Sequence, residues 1–327
     1  MISSFFSQLR LKPLSSAANI KTARENMDKT DLILCQLLLL NSRRSYRELA
    51  DALNLSVTAV HKRIQSLVEL CVIRKFTAKI GIGTLNATHV MIFGTSKITP
   101  LHDLKAELAK QGSIYWLAIG GGNFLYVGAY LKSIAELEAL VNFCKEAAGM
   151  LEPDVGITSF ASPFIKPEAY RAHDTTLYDL DYQIIRSLKD NSRKATSEIA
   201  EELRVSAKTV RRRLSRMMKL GLVELSIEWY PDASNDIITI FHFQLKPQAD
   251  RSSVGTIFKK YSPNMIFYWS FSNIPNSFVA FVWTSTMKEL QGIRESLEHE
   301  EAMRSVSPNI LYAGYIFRTW RDQLLEK

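Results

Sequence analysis

The sequence contains two aligned copies of one segment, and this duplication constrains the fold more than any other feature of the chain. Residues 31–73 align without a gap on residues 181–223, at a constant offset of 150 residues. Residues shared at equivalent positions include Asp31/Asp181, Asn41/Asn191, Ser42/Ser192, Arg43/Arg193, Glu48/Glu198, Ser56/Ser206 and Arg63/Arg213. A gapless repeat indicates that one unit of about 150 residues was duplicated and fused. We therefore expect the unit to act in pairs.

Composition indicates a soluble chain with several small domains and a polyanionic partner. Of the 327 residues, 46% are hydrophobic and 23% are charged, and the formal net charge is +8. A basic balance favours nucleic acid as the partner. The three cysteines are scattered, which indicates a reducing compartment and core packing rather than disulfides or a metal site. The longest apolar run, residues 32–40, is too short to span a membrane. We expect a cytoplasmic protein without a metal ion or cofactor.

Three short helices are predicted at the start of each copy. Ser45 and Glu48 form the capping-box pattern that satisfies N–H groups at the start of the second helix. Ser56 and its equivalent Ser206 are predicted to cap the third helix. Apolar residues recur at helical spacing along the third helix at Val60, Ile64, Leu67 and Val68, and in the second copy at Val210, Leu214, Met217 and Met218. Two helices joined by a tight turn are typical of a helix-turn-helix domain.

A short strand is predicted after each third helix, at residues 72–76 and 222–225, which makes each helix-turn-helix domain winged. Gly221 is predicted to end the third helix of the second copy in a left-handed conformation. Cys71 stands at the equivalent position of the first copy, so we expect that helix to end in a different way.

The third helix of the second copy has the strongest functional signal. Residues 208–219 contain six basic residues and no acidic residue, and residues 181–223 contain eleven Lys or Arg against five Asp or Glu. The equivalent residues 31–73 contain five against four. A solvated helix face would normally mix the two signs, so the pattern favours contact with DNA. With Val210 facing the core, Lys208, Arg212, Arg216 and Lys219 are predicted on the outer face, flanked by Arg211 and Arg213.

These patterns define the candidate DNA-binding residues. In the second copy they are Ser206, Lys208, Thr209, Arg211, Arg212, Arg213 and Arg216. In the first copy they are Thr58, Ala59, His61, Lys62 and Arg63, which could contact bases but would bind phosphates more weakly.

The remainder of each copy reads as βαββαβ, the ferredoxin-like order. In the first copy we predict strands at residues 87–97, 113–119, 124–131 and 155–164, and helices at residues 101–110 and 134–148. In the second copy we predict strands at residues 237–245, 265–271, 278–284 and 310–319, and helices at residues 253–261 and 287–303. The predicted fold class is α+β, with two winged helix-turn-helix domains alternating with two ferredoxin-like domains.

Six segments follow from this division. Residues 1–26 are rich in serine and basic residues; they resemble a transit peptide, and we expect a disordered leader. The predicted helix-turn-helix domains cover residues 27–80 and 179–230. The predicted ferredoxin-like domains cover residues 81–165 and 231–327, and residues 166–178 form the predicted linker.

The chain resembles the Lrp/AsnC family of transcription regulators. The resemblance is carried by residues 27–31, 47–50 and 55–64 in the first copy and by residues 198–200 and 205–214 in the second. It implies an N-terminal helix-turn-helix domain and a C-terminal βαββαβ domain, called RAM. It also implies pairing through the sheets and binding to successive DNA half-sites about one helical turn apart. We expect the two copies to pair within one chain and to read an asymmetric operator.

The family resemblance also implies a small-molecule site at a Gly-x-x-Asp hairpin in the RAM domain. The first copy has Gly120, Gly121, Gly122 and Asn123 there, with Asn in place of Asp, and the second copy has Asn273 to Asn276 without the first glycine. Loss of the carboxylate removes a partner for a ligand ammonium, so an amino-acid effector is not expected. Residues 120–123 remain a candidate ligand site, and a simple hairpin turn explains them equally.

An enzyme is the alternative class. The siroheme decarboxylases share this two-part architecture and would need His and Arg in the RAM-like cavity. His89 and His242 stand near matching points of the two copies, and packing within a strand explains either residue. A basic third helix has no role in such an enzyme, so we expect a regulator without enzymatic activity.

Overall fold

A computed structural model describes residues 26–98, 103–162, 176–250 and 253–326. The elements of the first copy are α1 (Lys29–Leu40), α2 (Tyr46–Leu53), α3 (Val57–Glu69), β1 (Ile73–Ile80), β2 (Thr88–Thr95), α4 (Leu104–Leu108), β3 (Ile114–Gly120), β4 (Phe124–Leu131), α5 (Leu137–Ala148) and β5 (Asp154–Ser162). The predicted leader, apart from residue 26, and most of the predicted linker lie outside the described residues.

The second copy repeats this order. Its elements are α6 (Asp179–Leu188), α7 (Thr196–Glu202), α8 (Ala207–Lys219), β6 (Val223–Trp229), β7 (Ile237–Leu245), α9 (Ser253–Lys260), β8 (Met265–Phe271), β9 (Ser277–Thr284), α10 (Met287–Glu298), β10 (Met303–Ile316) and the short α11 (Trp320–Gln323). Helix-turn-helix units alternate with βαββαβ units, which confirms the predicted fold class.

The helix starts follow the predicted caps. Ser45 and Glu48 form the capping box of α2, and the hydroxyls of Ser56 and Ser206 accept from the backbone N–H groups of Ala59 and Thr209 at the starts of α3 and α8. The buried stripe is narrower than predicted, because Val68 is 43% exposed and Met218 is 39% exposed. Val60, Ile64 and Leu67 and their equivalents Val210, Leu214 and Met217 form the buried face of the two helices.

The two third helices end alike, which corrects the expectation of different endings. Cys71 has φ of 60° and Gly221 has φ of 67°, so both adopt the left-handed conformation. Cys71 is also exposed rather than packed in the core, whereas Cys35 and Cys144 are buried. Burial raises the pKa of Cys144 to about 12, so that thiol stays protonated at neutral pH.

The wing strands pair with each other instead of forming separate wings. β1 and β6 run antiparallel from Ile80 opposite Val223 to Ile73 opposite Trp229. Each strand packs against the other copy's helices: Ile80 lies in the core of α6–α8, and Trp229 lies in the core of α1–α3. At the end of β1 the backbones approach so closely that a Cβ on Gly81 would lie 1.9 Å from the carbonyl oxygen of Gly221. The crossed ribbon therefore joins the two helical units tightly.

The two RAM-like sheets close into one barrel within the chain. Its strand order is β10-β3-β4-β2-β5-β8-β9-β7, and β10 also pairs with β7. The first-copy strand β3 joins β10, and β5 joins β8, so both seams unite the copies. This topology confirms the predicted pairing of the copies in cis.

Helix α10 and strand β10 differ from prediction in their bounds. α10 ends at Glu298, before the predicted residue 303, and β10 begins at Met303, before the predicted residue 310. Pro308 and alternating polar residues weaken the strand pattern in this segment. The strand nevertheless forms, because residues 303–310 pair with β7 and residues 311–316 pair with β3.

The alternating strand residues divide the interior into two kinds of core. Val90 and Ile92 pack beneath α4 and α5, and Phe241 and Phe243 occupy the equivalent core of the second copy. The opposite strand faces fill the barrel with aromatic side chains that include Phe93, Tyr126, Phe271, Trp269, Phe281 and Trp283. The barrel core continues into the core of α1–α3. The core of α6–α8 is separate and includes Leu325 from the C-terminal segment.

Candidate nucleic-acid interface

The recognition helices α3 and α8 have matching patterns of exposure. From residue 60 to residue 70 the burial classes are identical to those from residue 210 to residue 220. The same backbone therefore presents the same positions to solvent in both copies. We call residues 27–80 head 1 and residues 179–230 head 2. The exposed positions of α3 hold Val57, Thr58, His61, Lys62, Gln65, Val68 and Glu69. The exposed positions of α8 hold Lys208, Arg211, Arg212, Ser215, Met218 and Lys219.

The charges at these equivalent positions differ strongly. Lys62 and Glu69 offset each other on α3. On α8, Lys208, Arg211, Arg212 and Lys219 are all basic, and no acid accompanies them. A row of exposed cations without acids binds the phosphate backbone of a nucleic acid. The outer face of α8 is therefore a candidate nucleic-acid surface.

The ion pairs that α3 and α8 form with aspartates at the first helix of each head also differ. In head 1, Arg63 contacts Asp28 at 3.0 Å and Asp31 at 2.6 Å. In head 2, Asp181 accepts from both Arg213 at 3.5 Å and Arg216 at 3.4 Å, and Arg216 also donates to the carbonyl oxygen of Thr176 at 3.0 Å.

The residue that precedes the first helix explains this difference. Tyr178 stands at the position equivalent to Asp28, and both Arg213 and Arg216 lie 5.2 Å from the centre of its ring. These contacts join one carboxylate to two guanidinium groups in head 2, and two carboxylates to one guanidinium group in head 1.

The predicted site residues fall into three groups. Thr58, His61, Lys62, Lys208, Arg211 and Arg212 are exposed on the outer faces. Ala59 and Thr209 are half-buried near the helix starts, and Ser206 is the exposed N-cap of α8. Arg63, Arg213 and Arg216 are half-buried and contact the aspartates of the first helix. The structure thus corrects the placement of Arg216 on the outer face, where Arg211 and Ser215 lie instead.

The repeated Asn-Ser-Arg tripeptide forms a contact that the sequence reasoning did not assign. The hydroxyls of Ser42 and Ser192 lie 2.5 Å apart. Arg43 donates to the carbonyl oxygens of Ser192 and Lys194 at 2.6 and 2.7 Å. Arg193 donates to those of Ser42 and Arg44 at 2.6 and 3.0 Å. Identity of the tripeptide in both copies was the available signal, because a symmetric contact requires the same residues on both sides.

The candidate ligand hairpin is filled by the second copy. The N–H of Gly121 donates to Oδ1 of Asn309 at 2.7 Å, and a Cβ on Gly120 would lie 2.6 Å from the same oxygen. Gly122 and Asn123 have φ of 68° and 57°, as a tight turn requires. Asn309 thus supplies the acceptor at this turn.

The two histidines lie in different aromatic surroundings. Nε2 of His89 lies 3.0 Å from the hydroxyl of Tyr115, and its ring contacts Tyr130. Nε2 of His242 lies 2.7 Å from the hydroxyl of Tyr126. Burial lowers the pKa of each histidine to about 4, so both are neutral at pH 7.

The described residues form an open cleft of about 320 Å³, lined by Gln183, Arg186, Ser187, Glu202, Leu203 and Arg204. A void of about 10 Å³ lies in the second RAM-like core, lined by apolar side chains that include Phe243 and Met265. Among the described residues, no cluster of three or more His, Cys, Asp or Glu side chains is arranged to hold a metal ion. Within the same residues, no helix is both long and apolar enough to cross a membrane.

Comparison with known proteins identifies both heads. Residues 27–68 match the family model of the AsnC-type helix-turn-helix domain, and residues 179–224 match that of the winged helix-turn-helix DNA-binding domain. The chain is 31% identical over 137 residues to an uncharacterized HTH-type transcriptional regulator of Pyrococcus furiosus, which covers 41% of this chain and 93% of the relative. It is 31% identical over 85 residues to the HTH-type transcriptional regulator LysM of Saccharolobus solfataricus, over 26% of this chain and 59% of the relative.

A solved structure resembles the whole fold. The siroheme decarboxylase NirDL aligns with a TM-score of 0.56 and 13% identity, over 91% of this chain and 97% of that chain. This likeness shows a common architecture of two heads on a pseudo-symmetric barrel. The heads and the barrel define the class as a tandem winged helix-turn-helix protein. Because the chain matches the Pyrococcus furiosus regulator and the AsnC-type model, it belongs to the Lrp/AsnC family of transcription regulators.

Proposed function

We propose that this chain is a sequence-specific DNA-binding transcription regulator whose two heads read an asymmetric operator. The observation that carries the proposal is the outer face of α8. This face presents Lys208, Arg211, Arg212 and Lys219 without an acid, on a helix-turn-helix unit of a regulator family. A recognition helix in the major groove contacts base edges mainly through the residues near its start. Lys208, Arg211 and Arg212 lie in that part of α8.

The two heads have unequal roles in this proposal. Head 2 provides the stronger half-site contact, with Ser206 and Thr209 at the helix start and with Arg213 and Arg216 anchored behind the outer face. Head 1 provides the weaker contact through Thr58, Ala59, His61 and Lys62, while Arg63 holds α3 to α1. Guanine is the expected base partner of Arg212, because a guanidinium group donates to both its acceptors in the major groove. We also propose the domain boundaries given by the sequence analysis. We further propose a cytoplasmic location.

Selection from random duplex DNA tests the proposal. The full chain should enrich one site with two unequal halves, whose centres lie about 34–36 Å apart or a multiple of that distance. Retardation of duplexes in a gel should weaken steeply as the salt concentration rises. The reason is that Lys and Arg side chains release condensed counterions from the DNA when they bind phosphates. A perfectly palindromic selected site would contradict the asymmetry. Failure to retard any duplex at low ionic strength would contradict the function.

The enzymatic alternative is motivated by the likeness to NirDL, and the geometry favours it less. The described ring contacts of His242 are with Phe93, Phe124 and Tyr126, and aromatic side chains fill the barrel interior. Incubation with sirohaem separates the two functions. We expect an unchanged absorption spectrum and no release of carbon dioxide, and a spectral shift with release would support the enzyme.

A further inference from the structure

The loops that precede α2 and α7 form a reciprocal clasp between the heads. We define the clasp as Ser42, Arg43, Ser192 and Arg193 with the carbonyl oxygens that the arginines contact. Ser42 and Ser192 are equivalent residues, and their hydroxyls lie 2.5 Å apart. The approximate two-fold axis that relates the heads must therefore pass between these two side chains.

Each arginine of the clasp holds the start of the other head's second helix. Arg43 reaches the carbonyl oxygen of Lys194, the residue before the N-cap of α7. Arg193 reaches that of Arg44, the residue before the N-cap of α2. α2 and α7 pack on the recognition helices α3 and α8. A guanidinium group that holds the start of α2 or α7 therefore also restricts the movement of the recognition helix behind it.

The local structure of each loop aims its arginine across the axis. The side chain of Asn41 accepts from the N–H of Arg43 at 3.0 Å, and Asn191 accepts from Arg193 at the same distance. These side-chain turns set the direction in which the arginine leaves the backbone. Burial and then the charge of Arg193 lower the pKa of Arg43. Two guanidinium groups are thus kept close despite repulsion, which indicates a positional role rather than a simple gain in stability.

The β1–β6 ribbon also joins the heads, and further contacts between them include the Lys75–Asp190 ion pair and the Arg193 guanidinium group over the ring of Tyr46. A two-stranded ribbon twists readily about its long axis, so the ribbon alone sets strand register more firmly than it sets the rotation of one head against the other. The clasp connects the ribbon to the helices, because the N–H groups of Ser42 and Ser192 donate to the carbonyl oxygens of Leu225 in β6 and Phe76 in β1, both at 3.0 Å. The arginine side chains extend these contacts to the starts of α2 and α7 and so oppose rotation of one head about the ribbon.

We propose that Arg43 and Arg193 are positioning residues that set the separation and mutual orientation of α3 and α8, and so the spacing between the half-sites. This inference rests on the proposed function. Both hydrogen bonds of each arginine leave from Nη1, and a lysine keeps the charge but ends one bond short of that atom. The test variant is therefore the double substitution Arg43→Lys with Arg193→Lys. The matched control is Arg44→Lys in the same loop, since Lys194 already stands at the equivalent position of head 2.

The first measurement does not use DNA. Gln65 and Ser215 are equivalent exposed residues on α3 and α8, and each is changed to cysteine and spin-labelled in a Cys71→Ser background. Electron-spin distance measurement should give a narrow distribution for the parent and for Arg44→Lys. It should give a broad distribution for the double lysine variant. An equally narrow distribution in that variant would overturn the inference whether or not the chain binds DNA.

The second measurement uses duplexes in which the distance between two selected half-sites varies in single base pairs. The parent and the Arg44→Lys control should prefer one spacing. The double lysine variant should lose that preference by about tenfold or more, because avidity depends on engaging both sites at once. Its affinity for a duplex with only the head 2 half-site should stay unchanged. An unaltered spacing preference would overturn the positioning role, whereas absence of binding by the parent would overturn the proposed function itself. A single Arg43→Lys variant replaces the double variant if the latter does not fold.

Discussion

The recognition helices α3 and α8 have the same pattern of burial but differ in charge, because α8 exposes four basic residues and no acid whereas Lys62 and Glu69 offset each other on α3. At equivalent positions, His61 and Lys62 on α3 correspond to Arg211 and Arg212 on α8. Ser66 corresponds to Arg216, and Asp28 corresponds to Tyr178. Three of these four differences make the surroundings of α8 more positive, and the Lys62/Arg212 pair leaves the charge unchanged. A homodimer cannot diverge in this way because both heads share one gene, so the fusion is what permits two recognition helices with different charge.

The heads also differ in how they join the barrel. The core of head 1 continues into the aromatic interior of the barrel through Trp229 and Phe281. Head 2 has its own core, closed by Leu325, and Arg186 donates to the carbonyl oxygen of Leu325 at 2.7 Å. The C-terminal segment, residues 317–326, therefore works as a strap from the barrel to head 2. The head that carries the basic recognition helix depends on a separate tether, whereas the core of head 1 is continuous with the core of the barrel.

Replacement of Arg321 should have the largest effect and should separate the two attachments. Arg321 is 3% exposed and donates to the carbonyl oxygen of Ile80 at 2.6 Å and to Glu224 at 2.5 Å. Arg321→Met leaves the Ile80 carbonyl without this donor and should cost roughly 2–4 kcal/mol of local stability. Hydrogen exchange should accelerate in α6–α8 and stay unchanged in α1–α3. Arg318→Met is the surface control. Equal acceleration in both heads would show that the strap is not specific to head 2.

The next largest effect should distinguish the two recognition helices at one pair of equivalent positions. Arg212→Ala should weaken binding to the selected operator by about 1–3 kcal/mol if the side chain contacts a base. Lys62→Ala is the matched change in head 1 and should cost less than about 1 kcal/mol. If Arg212 contacts only phosphate, the loss should be the same on all sequences and the salt slope should fall by about one. Equal losses for both variants would contradict the unequal roles of the heads.

Local features of the fold were predictable because they depend on neighbouring residues. The caps at Ser45, Ser56 and Ser206 and the strands β4, β7 and β8 occur as the patterns predicted. The start of β10 was not predictable, because pairing with two distant strands outweighs Pro308. Cys71 adopts the conformation of Gly221 because the following strand must leave the helix in the same direction in both copies.

The candidate site was predictable in its charge and less so in its geometry. Helical periodicity placed Lys208 and Arg212 on the outer face, where they lie. It could not show that Asp181, about thirty residues earlier in the chain, holds Arg213 and Arg216, because such contacts depend on tertiary packing. The shared pairs Asp31/Asp181 and Arg63/Arg213 were a usable signal, since each acid and base is retained together in both copies.

A smaller effect should appear as pH dependence within the barrel. The pKa of His89 is about 4 in the folded chain and about 6.5 when unfolded, so the unfolded chain binds the extra proton first as pH falls. The stability contributed by the neutral ring is present above pH 6.5 and is lost between pH 6.5 and 4. The loss should be roughly 1–2 kcal/mol at pH 5.

His89→Phe should flatten the dependence of the free energy of unfolding on pH in this window. His242→Phe should flatten it to a similar degree, because burial lowers the pKa of His242 to about 4 as well. His299→Gln, at an exposed position, is the control. An unchanged slope in His89→Phe would show that His89 is not held neutral by burial.

The smallest effect should test whether the two third helices end under the same constraint. Gly221 has φ of 67°, and Gly221→Ala should destabilise the chain by about 1–2 kcal/mol, the cost of a left-handed conformation for a residue with a Cβ. Cys71 already bears that cost at φ of 60°, and its side chain is exposed. Cys71→Gly should therefore stabilise the chain by about 0.5 kcal/mol. This is the gain from removing the Cβ, less the larger conformational entropy that glycine loses on folding.

Urea unfolding of the parent, the two variants and Gly112→Ala measures these changes. Gly112 is a suitable control because a Cβ there meets no atom within 4 Å. Opposite signs for Cys71→Gly and Gly221→Ala would show that both heads impose one backbone geometry on unlike residues. If Cys71→Gly instead destabilised the chain, the Cys71 side chain would contribute to head 1 in a way that its exposure does not predict. The two heads would then differ in packing as well as in charge.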